Sequence, residues 1–369
     1  MNQQNALAGT DIMWYIHAQR KVSSMKKNSL TGLLPEEISA LLPKKKESYR
    51  GMQIFRWIHE HGVSSFDEMT NLSKAFREEI KNIFSIGAIE MVNVQTSSDS
   101  TTSKFLWSLH DGNKVESVII RDEKRSTACI SSQAGCKFGC AFCRTGGMGF
   151  KRNLTSGEII DQLIKMKQHL KEKDEKISNI VFMGMGEPLD NLDEVIRAIK
   201  IINMEEALEI SQYKVTVSTC GITPGIAVLS KTFKKIGLAI SLNAPENELR
   251  NKLMPCNRAY PLNDLLKATG DYAKSSGRRV TFEYILIDNV NDSLKSARKL
   301  LEITKKIPSK INLIAFNEFE GSPFKRPSDK RIEAFQRILF EGHTTAIIRK
   351  SKGTDILAAC GQLATKMET

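Results

Sequence analysis

Histidine is scarce in this chain, six residues in 369, and none of the six belongs to a His-x3–5-His pair. Beyond Cys140-x2-Cys143 there is no second Cys-x2-Cys pair, so the four N/S ligands of a structural zinc site are not on offer. Long apolar runs are missing too. None approaches the roughly 20 residues that span a bilayer, and a membrane partner by that route is excluded. The first thirty residues hold no short apolar core ahead of a small-residue cleavage site, so no secretory signal is expected. Seven cysteines, three of them grouped, suit a reducing cytoplasm better than a disulfide scaffold. Repeats and low-complexity tracts are also lacking.

Acid is in deficit against base. Lys and Arg number 54 against 42 Asp and Glu, a net charge of +12. Lys44-Lys45-Lys46 reads as a solvated turn, but Lys151-Arg152, Arg278-Arg279, Lys325-Arg326 and Arg349-Lys350 recur beside motif loops. That distribution suits a polyanion such as nucleic acid, whose phosphate contacts make binding weaken with salt.

What the chain does have is Cys136, Cys140 and Cys143 within Cys-Lys-Phe-Gly-Cys-Ala-Phe-Cys. A four-iron cluster takes one thiolate per iron, and a loop this short can supply three. One iron is then left open, as in a catalytic metal site. The spacing resembles that of the radical S-adenosylmethionine enzymes. The resemblance implies that the amino and carboxylate groups of S-adenosylmethionine fill the open position of a 4Fe-4S cluster.

Five segments are expected. Residues 1–30 read as a mobile tail in which Trp14 and Tyr15 could dock. Residues 31–100 read as a helical RNA-binding accessory domain, with helices opening at Pro35, running over 52–60 and over 74–84. Residues 101–126 form a β-hairpin extension, with strands at 105–109 and 114–121 about the Asp111-Gly112 turn. Residues 127–345 alternate strand and helix, with strands at 127–132, 178–184, 214–219, 237–242, 279–288 and 312–317. One helix opens on the capping box Thr155-x-x-Glu158, and others cover 262–274, 293–306 and 329–341. Six β/α units argue for an α/β fold with parallel strands, as an open doubly wound sheet or a partial barrel. The cluster motif resembles the six-unit partial barrel. Residues 346–369 form a C-terminal segment.

Polar runs at strand ends mark the carboxyl edge, where parallel α/β folds collect their sites. In Gly184-Met185-Gly186-Glu187-Pro188 the carboxylate could bind an ammonium while Gly186 lets the backbone approach a ligand. After a cluster loop this run resembles the S-adenosylmethionine-contacting motif. Ser218, Ser241 and Asn317, at later strand ends, could add polar contacts.

Further runs extend the resemblance to nearly the whole chain. They are Phe66-Asp67-Glu68-Met69-Thr70-Asn71-Leu72-Ser73-Lys74, Gly149-Phe150-Lys151-Arg152-Asn153-Leu154, Phe282-Glu283-Tyr284 with Asn291-Asp292-Ser293, Gly321-Ser322-Pro323-Phe324-Lys325-Arg326-Pro327-Ser328, and Ala359-Cys360-Gly361-Gln362-Leu363. Together they resemble the bacterial dual-specificity RNA adenine-C2 methyltransferases. That resemblance implies a monomer acting on 23S rRNA at the peptidyl-transferase centre and on tRNA next to the anticodon, with an external one-electron donor such as flavodoxin. It also implies two S-adenosylmethionine molecules per turnover. Cys360 takes a methyl group from the first. A deoxyadenosyl radical made from the second removes hydrogen from that methyl, and the methylene radical adds to carbon 2. Glu116 takes the carbon-2 proton, and Cys129 attacks the thioether, releasing product as a disulfide forms. On the same resemblance Gly186, Glu187, Ser218, Ser241, Leu242, Asn243 and Asn317 bind the cofactor, and Phe142 packs on its adenine. Asn243 stands where relatives usually have histidine; Ala315 and Glu318 stand where they have proline, a change expected to alter loop stiffness. Cys220 and Cys256 read as small buried hydrophobes. Two alternatives remain open at this point: an adenine-C8 alkylating relative conferring antibiotic resistance, and a non-catalytic RNA-binding protein with a structural metal.

Overall fold

The computed structural model describes residues 27–43, 48–123, 125–171 and 174–365. The readings of Trp14, Tyr15 and Lys44-Lys45-Lys46 lie outside them. A helical module comes first. Its two ends are tied by a short parallel pair, β1 (Asn28–Ser29) and β2 (Phe84–Ser85). Helix Pro35–Leu41 starts on its proline, and the Glu37 carboxylate accepts from the Leu34 N–H at 2.8 Å. Helix Ser48–Arg56 continues through a wider turn, Trp57–His61, which Gly62 ends at φ 72°. Ser73 caps helix Lys74–Ile83.

The next strands are β3 (Ile89–Thr96), β4 (Thr102–Leu109), β5 (Lys114–Asp122) and β6 (Arg125–Cys129), which pair antiparallel in sequence order. A small antiparallel pair follows, β7 (Gln133–Gly135) and β8 (Phe150–Asn153). Then come β9 (Asn179–Phe182), β10 (Val215–Thr219), β11 (Gly237–Ser241), β12 (Val280–Leu286), β13 (Ser309–Ala315) and β14 (Ala346–Arg349), each after a helix. All but the small pairs join one ten-stranded sheet, in the order β14-β13-β12-β11-β10-β9-β6-β5-β4-β3. Neighbours from β14 to β6 run parallel, and the order stays open, with β14 and β3 at its edges.

The sheet departs from the sequence reading in three places. β14 adds a seventh parallel strand inside the segment read as a C-terminal extension. β3 lies in the segment read as helical; its residues from Glu90 to Asn93 are exposed, so no apolar alternation announces it. β13 begins three residues early and ends on buried Ala315, so that alanine stiffens no loop; it closes a strand.

Strand alternation decides what the sheet does. One face buries Ile180, Phe182, Val217, Ile240, Phe282 and Tyr284. Tyr284 meets Phe335 of helix Asp329–Glu341 at 5.4 Å between ring centroids, so this face is the core under the helices. The other face carries Thr216, Ser218, Ser241, Glu283 and Asn312, all only partly buried. Ser241, Glu283 and Asn312 lie side by side across β11, β12 and β13. Cys129 pairs with Val181 and Val118, which puts it on the same face. Glu116, two residues before Val118, follows it there. Register alone thus gathers the polar candidates on one open side.

The helical module is fastened to this sheet. The capping box forms, Thr155 Oγ1 accepting from Glu158 N–H at 3.2 Å and Glu158 from Thr155 N–H at 2.9 Å. It opens helix Ser156–Lys171, whose Ser156 donates to Gly32 O and whose Asp161 accepts from the Ala88 and Ile89 N–H groups.

Candidate active site

The three cysteines occupy the loop between β7 and the short helix Arg144–Gly147. Gly139 turns this loop at φ 57°, and Cys136 N–H donates to Gly149 O. Ala141 and Arg144 N–H groups donate to Leu253 O and Gly361 O, so the loop is pinned by distant segments. Each cysteine is partly buried and free. Burial pushes the Cys136 thiol up to about 12 and raises Cys140 and Cys143 as well, so the thiolates are favoured by a bound cation that replaces the proton. Among the described residues no three His, Cys, Asp or Glu side chains converge tightly enough for a single metal ion. A four-iron cluster puts each thiolate on a different iron, and three thiols without a fourth donor fit it.

The Gly-Met-Gly-Glu-Pro turn follows β9. Gly186 has φ 97°, and a Cβ there would lie 2.5 Å from Gln133 Cβ. Gln133 is a residue sequence reasoning missed. Its Oε1 accepts from Glu187 N–H, and its Nε2 donates to Asn153 and Asp190, each at 2.8 Å. It clamps the turn to the strand leading into the cysteine loop. Glu187 is buried, and burial raises its carboxyl above the usual range. Oε1 accepts from Leu189 N–H and Oε2 from Cys220 N–H, leaving further lone pairs for a ligand.

Ser218, next to last in β10, and Ser241, last in β11, are partly buried on the open face. Leu242 and Asn243 are turned into the protein. Leu242 N–H donates to Glu283 O, and its carbonyl accepts from Arg250. Asn243, at φ 55°, accepts from Ile285 N–H at 2.8 Å through its side-chain oxygen and points its nitrogen at the Met254 sulfur. Its side chain therefore braces β11 against β12. Arg250, fully buried, also holds the carbonyls of Cys220 and Ser241 and so fixes the ends of β10 and β11. No short-range motif announces it. Phe142 is buried in the core. Cys220 and Cys256 are also buried, but they touch: the Cys256 thiol donates to Cys220 O.

The C-terminal segment completes the arrangement. After β14 it crosses to the antiparallel strands, where Ser98 N–H donates to Asp355 and Ala364 N–H to Glu116 Oε2. Asn317 donates to Cys360 O at 3.1 Å, and Gln362 donates to Glu318 O. Cys360 is open to solvent, yet enough protein surrounds it that burial and the Glu283 carboxylate push its thiol up to about 11. Those two properties describe a group on a cavity wall. Cys129 is buried, and burial first and the neighbouring Cys360 second raise its thiol far above the ordinary value. Cys143 also acts on Cys360. Glu116 is not the exposed strand carboxylate its local sequence suggests. It is 1% exposed, with Lys104 Nζ 3.5 Å from Oε1.

Comparison with known proteins bears on the same segments. The family model described as "Radical SAM superfamily" matches residues 130–301, and that described as "Ribosomal RNA large subunit methyltransferase N-terminal domain" matches residues 29–86. "Dual-specificity RNA methyltransferase RlmN" of Pelobacter propionicus is 47% identical over 335 residues, covering 91% of this chain and 95% of the relative. The protein of the same name from Syntrophus aciditrophicus is 48% identical over 343 residues, covering 93% and 98%. A radical SAM methyltransferase from Sphaerobacter thermophilus, solved by crystallography, superposes with a TM-score of 0.89 at 38% identity and covers 92% of this chain and all of that one.

Proposed function

Because the chain belongs to the RlmN dual-specificity RNA methyltransferases of the radical SAM superfamily, we propose that it methylates carbon 2 of adenine in 23S rRNA and in tRNA through a methyl group carried on Cys360. The observation that carries the reading is the convergence of Cys129, Glu116 and Cys360 on the open face beside the cysteine loop, although Cys360 lies far from the other two in sequence.

Carbon 2 of adenine is an electron-poor C–H carbon, so direct displacement of a sulfonium methyl by it is not available. Cys136, Cys140 and Cys143 hold the 4Fe-4S cluster; Gly186, Glu187, Ser218 and Ser241 line the S-adenosylmethionine site, with Leu242, Asn243 and Asn317 shaping it. Bound there, cluster and cofactor would supply the one-electron chemistry that turns the methyl on Cys360 into a carbon radical. Two S-adenosylmethionine molecules serve each turnover, and an external one-electron donor such as flavodoxin serves the monomer in the cytoplasm.

The chain's own groups do the rest. Cys360 accepts the first methyl as a thiolate; burial and the Glu283 carboxylate push its thiol up to about 11, so it holds its proton until the positive sulfonium draws near and then gives it up to the solvent it meets. Its carbonyl bond to Asn317 holds the methyl-bearing sulfur over the sheet. Once the methylene is joined to carbon 2 and the adduct has given up its unpaired electron, which the cluster would take back, Glu116 removes the carbon-2 proton. Cys129 then attacks the Cys360 sulfur: the S–S bond forms as the sulfur–methylene bond breaks, and the carbon keeps that electron pair and takes a proton, freeing the methylated RNA. The target base must leave its stack to reach this face.

Mass spectrometry of the purified chain tests the reading directly by seeking an added methyl on Cys360. Cys129→Ala should accumulate a covalent RNA adduct and Cys360→Ala none; equal adduct in both would remove the assigned roles. RNA deuterated at carbon 2 should lose its label on methylation. Loss from carbon 8 alone would identify the antibiotic-resistance chemistry instead.

A further inference from the structure

Lys104 is a nearly fully buried lysine, uncommon for a residue whose charge is costly to desolvate. It lies on β4 opposite Val118, while Glu116 lies opposite Leu106, so the two are diagonal neighbours on one face. Side-chain exposures are 4% and 1%, and Nζ stands 3.5 Å from Glu116 Oε1. The carboxylate's oxygens are not equivalent. Oε2 is held by Ala364 N–H at 2.9 Å, whereas Oε1 is buried without a hydrogen-bond partner among the described residues. One oxygen is anchored by the segment that carries Cys360; the other faces a cation and keeps its lone pairs.

We propose that Lys104 is the positioning residue for proton removal: its ammonium faces the charge of the buried Glu116 carboxylate and holds it in place while leaving Oε1 unbonded to accept the carbon-2 proton. The inference rests on the assignment of Glu116 as the base. Without a neighbouring cation a buried carboxyl takes up a proton and can no longer accept one. Other titratable groups on this face are Glu283 and the thiols of Cys129 and Cys360; the cations Arg349 and Lys310 act on Glu283, and Arg349 on Cys360 as well, whereas the cation set against Glu116 is Lys104. In the step itself the carbon-2–hydrogen bond breaks with its electrons staying on the ring, and the proton forms an O–H bond at Oε1.

Single turnovers with carbon-2-deuterated RNA under anaerobic conditions decide the matter. Lys104→Met, which keeps the aliphatic stem, should still gain a methyl on Cys360 and still produce deoxyadenosine at the rate of the unmodified enzyme. Release of methylated RNA should slow by on the order of 10²-fold, the span of a lost general base. The accumulating adduct should retain deuterium, whereas the Cys129→Ala adduct should have lost it. Lys104→Arg should restore release at neutral pH. Wild-type release from Lys104→Met, or an adduct without deuterium, would overturn the proposal. If Lys104→Met gains no methyl on Cys360, Lys104→Gln is read by the same label retention. Glu116→Gln separates the two ideas. If it too releases product normally, the base assignment itself fails; if it stalls while Lys104→Met does not, only the role of Lys104 fails.

Discussion

Asn243 illustrates what one residue can hide. As sequence it stands where relatives usually have histidine and reads as a cofactor contact. In the fold it adopts φ 55°, a region asparagine tolerates, and its side chain joins two strands. Glu116 hides its setting in the other direction: its local sequence resembles a surface strand, because the groups that bury it, Lys104 and Ala364, come from elsewhere in the chain. His59 was not singled out at all, yet it is fully buried, donating from Nδ1 to Phe55 O and accepting Gly32 N–H at Nε2. Burial lowers its pKa from 6.5 to about 4, so it folds neutral. Between those values the unfolded chain binds a proton that the folded chain refuses. Stability is therefore complete above the unfolded value and is lost as pH falls toward the folded one. The loss amounts to about 2 kcal/mol by pH 5. Denaturant unfolding followed by the fluorescence of nearby Trp57 should lose that much between pH 7 and pH 5, and His59→Gln should lose correspondingly less. Identical pH profiles in the two proteins would remove His59 as the cause.

At the scale of elements, pattern reading worked where a strand or helix carries its own signal. The capping box at Thr155, the Asp111-Gly112 hairpin and the alternation in β10 and β12 are such cases. It failed for β3 and β14, short or exposed edge strands whose pairing, not their composition, makes them strands. Close approach of elements is also invisible locally. Gly157, in the first turn of Ser156–Lys171, faces the loop of the helical module so tightly that a Cβ would lie 2.5 Å from Thr31 O. Gly270, inside helix Leu262–Ser276, meets nothing nearer than Ile307 at 4.0 Å. The same substitution should then act with opposite sign. Gly157→Ala should destabilise by about 1–3 kcal/mol through overpacking and expose the module's linkage to limited proteolysis. Gly270→Ala should stabilise by about 0.4–1 kcal/mol. Thermal unfolding of both variants measures the contrast, and equal shifts would show that these clearances do not govern.

For the whole molecule, the site depends on contacts that no window of sequence contains. The C-terminal segment reaches Ser98, Glu116, Arg144 and Glu318, and so ties the antiparallel strands, the cysteine loop and the end of β13 together. Charge is likewise legible in total but not in use. Arg152, half of a basic pair that sequence offered to RNA, is instead gripped by both oxygens of Glu158 at 2.7 Å each and by Asp111 at 2.5 Å. Arg349 and Lys350 are exposed, at the end of β14 where the segment bearing Cys360 begins. A phosphate contact contributes to the salt dependence of binding; an internal ion pair does not. Titrations of RNA at several salt concentrations should therefore show a negative slope of log affinity on log salt. Arg349→Gln and Lys350→Gln should each make that slope shallower by about 0.7–0.9. Arg152→Gln should leave the slope unchanged and instead lower stability, because it leaves the buried Glu158 without its cation. A slope altered by Arg152→Gln and untouched by the other two would reverse this division of the positive charge between fold and substrate.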